Sequence, residues 1–146
     1  MTTLLEALQD DARRAAAIDD CVALIDGEVA RKSGLGGAAL KMGYKAVQGV
    51  RPGFVRHVVE ALLPDFADAL EPLHEQAVAA GKPLDTYFDN HRGEVSEALL
   101  SVTDAKAAES SNSVVKGAYK RLRGGAKKHV EEAAPGLGAL LERHAG

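Results

Sequence analysis

At 146 residues the chain suits one domain with a single core, and its 46% apolar and 27% charged residues exclude a disordered protein. No run approaches the ~20 uninterrupted apolar residues that a spanning helix needs. Aromatics are 4%, Trp is absent and the net charge is −3, a composition of closely packed helices rather than sheets.

The opening MTTLLEALQDD has no basic region followed by an apolar segment, so we expect no secretory signal and a cytoplasmic location. Thr3, Leu4, Leu5 and Glu6 form a capping box from which a helix should begin. Ile18, Val22, Ile25 and Val29 recur at helical spacing and predict a long helix to about Arg31, ended by Ser33-Gly34-Leu35-Gly36-Gly37. Cys21 sits in that pattern as a small buried hydrophobe without a redox role, and a single cysteine forms no internal disulfide.

Leu40, Tyr44 and Val47 predict the next helix, up to a turn at Arg51-Pro52-Gly53. A short helix follows through Phe54, Val55, Val58, Val59 and Leu62, and Pro64 suits the first position of another, with Phe66, Leu70 and Leu73 inward. Pro72 predicts a kink or break near Glu71, and Gly81 a helix stop. After a turn at Lys82-Pro83, the set Leu84, Tyr87 and Phe88 and the set Val95, Leu99 and Val102 predict two helices, the second ending in the polar segment 109–113. Three short helices complete the chain: Val115, Tyr119 and Leu122; Val130 and Ala133; Leu137, Leu140 and Leu141. Gly124-Gly125 and Pro135 separate them. The expected fold is all-α, a compact bundle of short to medium helices in a single domain over 1–146.

Lys41-Met42-Gly43-Tyr44-Lys45 aligns with Lys116-Gly117-Ala118-Tyr119-Lys120, which brings Gly49 onto Gly124. With a gap, Glu60, Pro64, Leu70 and Glu71 fall on Glu131, Pro135, Leu141 and Glu142. Segments 38–73 and 113–144 read either as two copies of a helix, Gly turn, helix, Pro, helix unit packed as related halves, or as the easy self-alignment of an Ala/Gly/Leu-rich chain.

Charge is segregated. Residues 31–59 carry Arg31, Lys32, Lys41, Lys45, Arg51 and Arg56; residues 110–130 carry Lys116, Lys120, Arg121, Arg123, Lys127 and Lys128; neither window holds an acid. Uniform mixing would place about seven acids there. The windows hold +12 and the rest of the chain −15, behind the net −3. Three readings follow. Basic and acidic segments face one another across the fold or are plain solvated faces; the basic face of one subunit meets the acidic face of another in a homodimer; or the windows bind an external anion, which includes a phosphorylated small molecule, acidic lipid headgroups, nucleic acid and an acidic protein. In the last, Lys41 and Lys45 with Tyr44, and Lys116 and Lys120 with Tyr119, each form a candidate phosphate clamp, unless the tyrosines are core residues whose hydroxyls reach the surface. Nucleic acid is the weaker choice, since stacking aromatics are few and the remaining surface repels phosphate.

Other motifs fail on spacing. Gly34-Leu35-Gly36-Gly37 lacks the preceding strand and closing Gly-Lys-Ser/Thr of a nucleotide loop and reads as a helix-to-helix turn. Glu71-Pro72-Leu73-His74 fits the Glu-x-x-His of di-iron bundles but has no second copy, and His57, His91, His129 and His144 lack metal-ligand spacing. No metal or cofactor is expected. Asp10-Asp11, Asp19-Asp20, Glu131-Glu132 and the serines show no spacing that fixes a catalytic group, and read as helix-end and surface residues.

The run Glu28 to Lys41, with Arg51-Pro52-Gly53-Phe54-Val55, Leu62-Leu63-Pro64-Asp65-Phe66-Ala67 and Ala126-Lys127-Lys128-His129-Val130-Glu131, resembles an uncharacterised family of small helical proteins from high-GC bacteria, a domain of unknown function. The resemblance spans nearly the whole chain and implies one helical domain, without an activity or catalytic residues. The reading is a non-enzymatic helical protein that binds a partner protein or anionic ligand at the basic windows. The alternatives are a small enzyme whose site the sequence does not display, or a peripheral membrane-surface protein.

Overall fold

The structure, a computed structural model, describes residues 2–145. Among them are seven helices: α1 (Leu4–Ala7), α2 (Asp11–Arg31), α3 (Gly34–Gln48), α4 (Phe54–Ala79), α5 (Leu84–Asn90), α6 (Arg92–Glu109) and α7 (Ser113–Ala145). No strand occurs among the described residues. The fold is a compact all-α bundle organised by two long helices: α1, α2, α3, α5 and α6 each pack against both α4 and α7.

Local chemistry sets several ends as predicted. Thr3 Oγ1 accepts the Glu6 N–H at 3.0 Å. At the end of α4, Gly81 takes φ 66°, Lys82 N–H donates to Ala77 O at 3.0 Å and Gly81 N–H to Val78 O at 3.1 Å, a closure that needs left-handed backbone and therefore favours glycine.

Elsewhere tertiary packing overrides local signals. The helix begun at Thr3 stops after one turn, because Asp10 provides a second cap by accepting the Arg13 N–H at 3.0 Å, while Leu4, Ala7 and Leu8 are buried in the core and Leu4 N–H donates to Glu71 Oε1 at 2.7 Å. Between α2 and α3 only Lys32 and Ser33 lie outside the helices; Gly34, at φ 74°, to Gly37 form the first turn of α3, not a loop.

Neither Pro64 nor Pro72 interrupts α4: Pro64 lies inside the helix rather than at the start of a new one, and no break occurs near Glu71. Glu60, Pro64, Asp68 and Pro72 form one exposed row, so the carbonyls each ring leaves without an amide partner face water. The opposite face buries Leu63, Ala67, Leu70, Leu73 and Ala77. Likewise the three short C-terminal helices are one helix, α7, running through Gly124, Gly125 and Pro135. Two glycines and a proline weaken a helix by about 5 kcal/mol together. Burial of Leu140, Leu141, Ala134 and Ala118 on the same helix supplies a comparable gain, at about 1.5–3 kcal/mol for each leucine. Three of the seven helices, at 21, 26 and 33 residues, are thus longer than the expected short to medium lengths. Gly49 caps α3 whereas Gly124 lies inside α7, so segments 38–73 and 113–144 differ in course: a helix, turn and helix in one, a single helix in the other.

Candidate functional site

Glycine brings the two basic windows together. A Cβ on Gly43 of α3 would lie 2.6 Å from Leu122 Cδ2 of α7, so the glycine leaves the space that the Leu122 side chain occupies against α3. Of the twelve cations, four meet acids: Arg31 with Glu28, Lys32 with Glu28 at 3.4 Å and Glu132 at 2.9 Å, Arg56 with Asp19, and Arg123 with Asp104 at 2.9 Å. The other eight, Lys41, Lys45, Arg51, Lys116, Lys120, Arg121, Lys127 and Lys128, are exposed and form no ion pair among the described residues. Arg51 alone has an aromatic contact, 5.8 Å over the Phe54 ring. Facing of basic and acidic segments, in the pairs of Lys32 with Glu132, Arg56 with Asp19 and Arg123 with Asp104, therefore accounts for a quarter of the cations and leaves the majority in solvent.

Both tyrosines are half-buried and turn their hydroxyls to the preceding helix. Tyr44 donates to Asp26 of α2; Tyr119 donates to Asp104 of α6, with Thr103 Oγ1 at 2.8 Å. Burial first and the acceptor carboxylate second push both phenols above their ordinary range. Asp104 is held below the usual carboxylate range by the hydrogen bond from Arg123 and then by that from Tyr119. The two hydroxyls are thus committed to internal carboxylates, and the lysines of each proposed clamp face solvent without them. Partners 18 and 15 residues away on other helices left no spacing signal to read.

Beside this network a groove of about 500 Å³ runs between α6 and α7, lined by Ala107, Ala108, Gly124, Lys116, Lys120, Tyr119, Arg123 and Asp104. Its one carboxylate, Asp104, is already neutralised by Arg123, which bonds it at 2.9 and 3.2 Å. Lys116 and Lys120, one turn apart on the rim, leave the groove positive over a floor of small apolar residues. Lys41, Lys45, Arg51, Arg121, Lys127 and Lys128 do not line it.

The family profile described as Family of unknown function (DUF6918) matches residues 4–145. The chain belongs to that family. No curated protein and no solved structure matches it. In this DUF6918 chain, among the described residues, no helix is long and apolar enough to cross a membrane, and no group of three or more His, Cys, Asp or Glu side chains is placed to hold a metal ion. The Glu-x-x-His sequence does assemble: His74 Nδ1 lies 3.1 Å from Glu71 Oε2, and the Leu4 N–H donates to the same carboxylate.

Proposed function

We propose that this protein is a non-enzymatic binding module that takes an anionic ligand or an acidic segment of a partner protein in the α6–α7 groove. The reading is supported chiefly by a groove of about 500 Å³ whose rim lysines have no carboxylate partner and whose single acid is neutralised from within. That size lies in the range of small-molecule sites. The apolar floor at Ala107 and Ala108 gives a bound group area to cover, and Lys116 and Lys120 give it charge. Asp104 holds Tyr119 and Arg123 in place and thereby shapes the wall.

The test is calorimetric titration with inorganic tripolyphosphate and with a poly-glutamate peptide at low and high salt. Binding should weaken with salt and fall about tenfold or more in a Lys116→Gln/Lys120→Gln variant, since charge-assisted contacts carry it. Equal binding by the variant, or no binding of either probe at low salt, would refute the assignment.

A further inference from the structure

A second cavity, of about 340 Å³, opens where the N-terminal turn, the start of α2, the end of α4, the start of α5 and the end of α7 converge, and shares no residue with the α6–α7 groove. Its polar wall includes His74, Arg13, Lys82 and Glu142, and Ala7, Val78 and Leu84 are among its apolar residues.

His74 is the informative member. The residue is 4% exposed, one of two buried polar residues among those described. Its Nδ1 faces both oxygens of Glu71, at 3.1 and 3.3 Å, and Glu71 is itself anchored by the Leu4 N–H at 2.7 Å. A carboxylate at Nδ1 keeps the ring proton there and fixes the ring plane, which leaves Nε2 as the group available to a ligand. Among the described residues Nε2 has no hydrogen-bond partner. It is not sealed away either, for among the described residues His129 Nδ1 is the one fully buried side-chain polar atom left without a partner.

An oriented imidazole nitrogen on a cavity wall is within reach of a partner from outside. The wall gives that partner its sign. Arg13 and Lys82 are both exposed and form no ion pair among the described residues, and they outnumber the one carboxylate on the wall, Glu142.

We infer that this cavity binds a small oxyanion, a carboxylate or phosphate group on a short apolar body, with Arg13 and Lys82 as the cations at the mouth and His74 on the inner wall beside it. The apolar residues take the body of the ligand, and the charged residues take its head.

The experiment is an NMR titration of the full chain with inorganic phosphate and, separately, with butyrate, following the His74 ring resonances. Either probe should shift them saturably at millimolar concentrations, and the two arms distinguish phosphate from carboxylate ligands. The double variant Arg13→Gln/Lys82→Gln changes only exposed, unpaired side chains and should keep the fold while weakening binding about tenfold or more. Lys116→Gln/Lys120→Gln should bind as the unmodified protein does, which separates this site from the groove. A His74 signal that neither probe moves, or equal binding by the Arg13/Lys82 variant, would overturn the inference.

Discussion

Leu122 of α7 fills the space that a Cβ on Gly43 of α3 would occupy, with 2.6 Å between that position and Cδ2. The contact places the two acid-free windows side by side. Gly43→Ala requires Leu122 to change rotamer, a relief open to a side chain, so we expect a loss of about 1–2 kcal/mol, partly offset by better helix propensity. Gly138 is different. Its Cβ would meet the Leu84 carbonyl oxygen at 2.5 Å and Asp85 Cα at 2.8 Å, backbone atoms that move only with α5. Gly138→Ala should therefore destabilise more than Gly43→Ala in urea unfolding; the reverse order would contradict the packing described.

The prolines of α4 make a second prediction. Pro64 and Pro72 lie on the exposed row of an unbroken helix, so Pro64→Ala and Pro72→Ala restore a backbone donor without disturbing the core. Each should stabilise the protein, by up to about 3 kcal/mol, less whatever the unfolded chain gains in freedom. A fall in Tm for both would mean that the rings hold a bend the fold requires.

Acid should unfold the protein through identifiable carboxylates. Asp20, Asp104 and Glu132 are each held below their usual range, first by hydrogen bonds from His144, Arg123 and Lys32 respectively. Because the folded-state values are depressed, the unfolded chain takes up these protons first as pH falls. The stability they contribute is complete above about pH 4 and is lost as pH drops through the folded values. Urea midpoints measured across this window should decline, and Asp104→Asn should flatten the decline. These groups are partly exposed, so the effect of each is modest and salt-sensitive.

His129 acts at higher pH. Burial first and then Lys32 lower its pKa, and its Nδ1 is without a partner, so the fold favours the neutral ring. Its contribution is present above about pH 6.5 and is lost as pH falls toward the folded value. His129→Leu should reduce the difference in stability between pH 8 and pH 6.

Cys21 should be inert in the native state. Burial raises its thiol to about 11, with Asp20 adding to the shift, so little thiolate exists at neutral pH. Reaction with a thiol reagent should be slow and should accelerate on unfolding; rapid native-state labelling would contradict this.

The amino-acid order by itself determined that the chain is helical and which faces turn inward. Leu70, Leu73, Phe88, Val95, Leu140 and Leu141, all picked out by period, are buried. The stop at Gly81 was equally legible, because a left-handed C-cap is a local event within one turn. Helix continuity was not. Whether Pro64, Pro72, Gly124, Gly125 and Pro135 interrupt a helix depends on whether local losses exceed the burial gained against distant segments, and period carries no information on that sum. The same holds for the site. Charge segregation could be counted along the chain, but the pairing of Tyr44 with Asp26, Tyr119 with Asp104, Lys32 with Glu132 and Glu71 with the Leu4 amide joins separate helices. Only the packing of α2 against α4 and α7, and of α6 against α7, decided which cations meet acids on other helices, and only the convergence of five segments around His74 made a cavity there.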